Sequence, residues 1–207
     1  MSNKISRRTF LKCTGASAAA LGTAALLGGC QSSSNASVEV KVGDKISNWN
    51  NLGVQLTSIF TLTSAPDVPG YEYVAVLVTA VNRSSSVTFN IGAPNIAEIN
   101  AAYPLNTDAA KAANTAPYFH ALSASTTDFA VVCDGADVES GAYISLYDST
   151  TETFTDAPSL PPQRSGYIEL VCMVPTGWQK ITVTYTPTFV TNKTLTFSLS
   201  ASDVAKA

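Results

Sequence analysis

The sequence has a single histidine, His120, in 207 residues, and only 13 % of its side chains are charged. One imidazole excludes any metal centre built on two or more histidines. None of the four cysteines stands in a Cys-x-x-Cys pair, which removes a catalytic dithiol. No cofactor fingerprint is present, so no cofactor is expected. The longest apolar run, residues 13–29, is diluted with Gly, Ala and Thr and is too short and weakly hydrophobic for a membrane span. Basic charge is scarce as well. Once residues 1–29 are set aside, 8 Lys and Arg face 15 Asp and Glu, a net charge of −7. Nucleic acid is not a partner for such a balance, because phosphate binding needs a surplus of cations on one face.

What is present begins with an address. Ser6-Arg7-Arg8-Thr9-Phe10-Leu11-Lys12 resembles the twin-arginine export consensus, with Arg7 and Arg8 as its signature. The diluted apolar run follows as a cleavable segment. Leu27-Gly28-Gly29-Cys30 then resembles the lipobox of bacterial lipoproteins, in which the thiol receives a diacylglyceryl group and the chain is cut just before it. The expected organisation is a signal over residues 1–29, a lipidated polar tether over 30–37 and one domain over 38–207. Cys30 anchors the mature chain to the bilayer, and the expected location is extracytoplasmic, on the cell membrane.

The remaining length suffices for one domain with its own core. Period-two alternation recurs along it. Val38, Val40 and Val42 alternate with Glu39 and Lys41, and Gly43-Asp44 turns the chain. Val54, Leu56, Phe60 and Leu62 share a face of a long strand. Tyr71 to Val81 and Tyr167 to Val174 are apolar on nearly both faces, which predicts central strands covered on two sides. Asn82 to Ser86 is read as a hairpin turn into Val87 to Asn90. Later strands are predicted at Phe129–Cys133, Ala142 to Tyr147, Glu152 to Thr155, Ile181–Tyr185 and Leu195 to Leu199. Eight or nine short strands between turns predict an all-β, antiparallel β-sandwich. Between Ile91 and Thr127 the pattern weakens. Ile96 to Leu105 is read as a short strand pair, and residues 107–113 as a short helix capped by Asn106 or Thr107, together a helical or irregular insertion.

The Gly43-Asp44 turn, the Tyr73-to-Asn82 strand with its Ser-rich turn, and Gly166-Tyr-Ile-Glu-Leu-Val-Cys-Met-Val-Pro175 before Lys180-Ile-Thr-Val-Thr-Tyr185 carry a resemblance. They are similar to bacterial immunoglobulin-like domains of unknown function found on secreted proteins and lipoproteins, in the group called immunoprotective extracellular, immunoglobulin-like. The resemblance implies an immunoglobulin-like sandwich and carries over no catalytic residue.

Few side chains suggest chemistry. His120 is read as structural rather than as a ligand. Asp134, Asp137 and Glu139 cluster after a strand but match no calcium loop, and a solvated acidic turn is the preferred reading. Carboxylates fall mainly on presumed turns, so no enzymatic activity is expected. Cys133 and Cys172 both point inward, as an inter-strand disulfide or as two separate buried thiols. Trp49 and Trp178 lie between strands, where they either cap the sandwich core or offer rings to a ligand. The expected function is a non-enzymatic, lipid-anchored cell-envelope domain that contacts a protein or glycan. The alternative is an accessory lipoprotein that binds a glycan or small solute in a pocket lined by Trp49 or Trp178.

Overall fold

A computed structural model describes residues 38–204. The predicted alternation closes two sheets face to face, an all-β sandwich. One sheet holds β1 (Val38–Lys41), β5 (Phe129–Cys133), β6 (Ala136–Asp137), β10 (Lys180–Tyr185) and β11 (Leu195–Ser200), in the order β1-β11-β10-β5-β6. The other holds β2 (Lys45–Trp49), β3 (Leu52–Thr61), β4 (Tyr71–Asn82), β7 (Ser140–Asp148), β8 (Thr153–Ala157) and β9 (Ser165–Pro175), in the order β2-β3-β4-β9-β7-β8. Neighbours are antiparallel except β1 and β11, which run parallel.

The core lies where the inward sides meet. On β4 it takes Val74, Val76, Val78 and Ala80, and on β9 Ile168, Leu170, Cys172 and Val174. The facing sheet supplies Val131, Ile181, Val183, Tyr185, Phe197 and Leu199. These alternate with half-exposed Thr and Ser, as period two requires of a sheet wet on its other side. An internal void of about 10 Å³ among Val54, Val78, Ile168 and Val183 is lined by apolar side chains and leaves no room for a solute.

Strands β4 and β9 are buried on both faces, as their continuous apolar runs predict. Their outer face is covered by Phe60, Leu62 and Phe154 over Ala75, Leu77 and Tyr167, and by Phe119, from the stretch between β4 and β5, over Tyr73 and Val171. In the stretch between β4 and β5 the structure corrects three expectations. Residues 96–105 are no strand pair: Asn95 caps helix α1 (Ile96–Ala102) by accepting from the Ala97 N–H. The second helix is also longer than expected, α2 running from Asp108 to Ala124. Its predicted cap holds, the Thr107 side chain accepting from the Ala110 N–H. Pro117 within α2 removes one backbone donor without ending the helix. Residues 87–90 form no strand either: Phe89 makes an isolated bridge with Leu160 and packs its ring into the core against Phe189, and the Val87 carbonyl accepts from the Asn82 side chain.

Candidate functional site

The two inner strands of the six-stranded sheet decide where polar groups gather. Their outward side chains are Tyr73, Ala75, Leu77 and Thr79 on β4, and Tyr167, Glu169 and Val171 on β9. Register places Leu77 opposite Glu169 and Glu169 opposite Tyr143 of β7. One row on, Thr79 faces Tyr167, Tyr167 faces Ser145, and Ser145 faces Asp156 of β8. Glu169 thus sits where three small outer clusters meet. These are Phe60, Leu77 and Tyr167; Tyr73, Phe119 and Val171; and Ile96, Ile99 and Leu122 with Tyr118 and Tyr143 packed against them.

Its carboxyl is 1 % exposed, and neither oxygen has a hydrogen-bond partner. Burial pushes its pKa up to about 7; the neighbouring Tyr143 hydroxyl draws it back down and the Asp156 charge adds to the rise. That hydroxyl lies close to the carboxyl but does not meet hydrogen-bond geometry. Burial raises the Tyr143 phenol well above its ordinary value, the Glu169 charge adding to this. Asp156, at the exposed edge, accepts from the Ser145 hydroxyl at 3.1 Å. A carboxyl that has lost water without gaining a full partner is costly in its charged form, so burial holds its ionisation back toward neutral pH.

A second cluster lies at the rim of the same helix–sheet joint. His120 of α2 places Nδ1 2.8 Å from Glu139 Oε1, in the turn before β7, and Nε2 3.5 Å from Asp67 Oδ2, in the loop before β4. The hydrogen bond with Glu139, with the charges of both carboxylates, raises the imidazole pKa against a smaller opposing effect of burial. Beneath them Tyr73 packs its ring on Phe119, centroids 4.8 Å apart, and its hydroxyl is buried without a partner. Burial, with the Asp67 and Glu139 charges, pushes that phenol up to about 12, so it stays neutral. One histidine therefore ties three separate chain segments together.

The residues singled out by sequence are distributed elsewhere. Arg7, Arg8 and Cys30 lie outside the described residues. Trp49 and Trp178 are core side chains, 2 % and 4 % exposed. That overturns their candidacy as ligand contacts: each closes one part of the sandwich interior, and their rings are not available to a solute. Asp134, Asp137 and Glu139 do not converge. The Asp134 carboxylate accepts from the Gln179 and Lys180 backbone N–H groups, Asp137 is exposed on β6, and Glu139 turns to His120.

Cys133 and Cys172 are free, buried thiols in the same core cluster. Burial, with a smaller contribution from Asp134, pushes Cys133 up to about 11, and burial raises Cys172 further still. Thiolate is the reactive form, so both are inert in the folded state. Iodoacetamide at pH 8 is expected to leave both unmodified in native protein and to label both in denaturant without reductant. Failure of either thiol to label after unfolding would reveal a disulfide.

Glu169 and Asp67 escaped the sequence reading, although one signal was present. A single carboxylate inside the Tyr167-to-Val174 run, on a strand covered on both faces, already marks a buried charge. Nothing local to Asp67 points to His120; only folding brings them together.

Comparison with known proteins adds the address. Residues 4–28 match the model of the twin-arginine translocation pathway signal sequence. The chain is an exported protein. No curated protein matches it. Among solved structures it is similar to an uncharacterised β-sandwich protein from Clostridium difficile, with 12 % identity and a TM-score of 0.42, covering 83 % of this chain and 100 % of that one. No helix among the described residues is long and apolar enough to cross a membrane.

Proposed function

We propose that the chain is a lipid-anchored cell-envelope protein whose sandwich serves interaction or recognition rather than catalysis. The observation that carries this reading is a position. The matched signal ends at residue 28, and Cys30 follows where a lipobox places its thiol. The domain starts at Val38, so the seven residues between reach roughly 25 Å when extended, enough to lift a small domain off the headgroups. A single acyl-modified site with no polybasic patch leaves the lipid as the anchor. The sandwich interior is filled, both tryptophans are committed to it, and the Asp134 carboxylate caps a turn. These features favour a surface that contacts a protein or glycan over a cleft that processes a substrate. Membership of the immunoprotective extracellular, immunoglobulin-like group belongs to the same proposal.

The membrane-fraction protein is expected to begin at Cys30, to carry the mass of a diacylglyceryl thioether and to enter the detergent phase on Triton X-114 partition. Cys30→Ala should move it to the aqueous phase. An unmodified Cys30 in the mature protein would overturn the anchor. For recognition, the sandwich applied to glycan and protein arrays is expected to retain a discrete set of partners, and a blank array counts against that role.

A further inference from the structure

The insertion of residues 93–127 leaves and rejoins the sandwich at one point. The Thr127 N–H donates to the Gly92 carbonyl at 2.9 Å. Gly92 has φ +68° and abuts the Asp128 side chain so closely that a methyl group there would collide with it. Asp128 is itself buried, and Thr127 donates its hydroxyl to Oδ1 at 2.9 Å. Away from this base, the insertion meets the sheet at several places, among them Phe119 on Tyr73 and Val171 and the Ala142 N–H donating to the Thr126 hydroxyl at 2.8 Å. Helix α2 lies against β7 at Gly141, where a Cβ would come 2.6 Å from Leu122 Cγ. At its rim it is attached through His120.

We propose that the helical insertion is a proton-held cover, docked on the six-stranded sheet while His120 and Glu169 carry their protons and loosened as they lose them. The two groups occupy different parts of the joint and act in the same direction. Protonated His120 bridges Glu139 of the turn before β7 and Asp67 of the loop before β4, while neutral Tyr73 lies below. Neutral imidazole can bond only one of the two carboxylates as a donor, and the other contact is lost. Glu169, under the helices, faces Leu77 of β4, Tyr143 of β7 and the Asp156 charge of β8, with Tyr118 of α2 beyond Tyr143. None of these is a cation, and the Tyr143 hydroxyl offsets only part of the cost of burial when the carboxylate ionises. Water is then the better partner, and water reaches it by displacing the helices.

Both groups have folded values above their ordinary ones. Each therefore contributes docking stability that is fully present below its unfolded value, near 4.5 for Glu169 and 6.5 for His120. The contribution disappears as pH rises through the folded value, about 7 for Glu169. An exported domain meets such changes directly, because it is not bathed in the buffered cytoplasm.

Hydrogen exchange measured by mass spectrometry at pH 5 and pH 8, corrected for intrinsic rates, tests this on the whole mature protein. Peptides from residues 96–124 are expected to lose protection on the order of tenfold or more at pH 8. Those from β4, β10 and β11 should keep theirs. Glu169→Gln, close in shape and always neutral, should hold the cover down at pH 8. His120→Gln, at an exposed position, should weaken it at pH 5, and the double variant should show no pH dependence in this segment. Equal protection at both pH values in the parent protein would overturn the proposal. So would a loss shared by the core strands, or a double variant that keeps the full pH response.

Discussion

Trp49→Ala is expected to lower the unfolding free energy by about 3–5 kcal/mol, the range for emptying a buried aromatic site. The ring is fully enclosed at the end of β2, where Trp49 pairs with Leu52 and belongs to the main core cluster. Its neighbours are held by sheet hydrogen bonds and cannot collapse into the space. One feature works in the other direction: the indole Nε1 is buried without a partner, so deletion removes an unsatisfied donor along with the packing. The net cost therefore falls toward the lower end. Urea denaturation with an unchanged m-value measures it. A shift under about 1 kcal/mol, at the scale of surface substitutions, would place the ring at the surface and reopen the reading of Trp49 as a ligand contact.

Gly166→Ala should be at least as damaging, at about 3 kcal/mol or more, by the opposite mechanism of overpacking. Gly166 lies in β9 between Ala80 of β4 and Leu146 of β7. A methyl group there would collide with the Ser145 carbonyl oxygen and stand 3.2 Å from Leu146 Cα. Both are backbone atoms of a paired strand, so relief requires parting β7 from β9. The same movement would displace Tyr143 from Glu169. Gly177→Ala provides the contrast. Its φ is +84° with nothing within 4 Å of a built Cβ, so the cost is one of backbone conformation alone, about 1 kcal/mol. Thermal or urea melts of the two variants separate the mechanisms, and equal costs would refute the steric account of Gly166.

The covered strands were legible because side-chain direction alternates strictly along a strand. Val74, Val76 and Val78 had to share one face, and apolar residues between them required a cover on the other. The nature of that cover was not legible. Helix α2 buries only Phe119 and Leu122 of its seventeen residues, and the remainder is largely Ala, Asn, Thr and Ser. So shallow a contact leaves almost no 3.6-residue pattern to read. The choice between the two readings of the tryptophans, core cap or ligand contact, was not legible for a related reason. Trp178 stands in a turn, and only the path of that turn over the sandwich end decides that its ring points inward.

By itself, then, the sequence determined the export signal, the low basic charge and the sandwich, because each depends on local composition or on a two-residue period. Tertiary structure alone decided that both tryptophans belong to the core, that Cys133 and Cys172 share it, and that His120 meets Asp67 and Glu139. It also decided that Glu169 is stranded between sheet and helices. The reason is separation along the chain: these side chains lie tens of residues apart, and only the closure of two sheets and the docking of α2 sets the distances on which their energies depend.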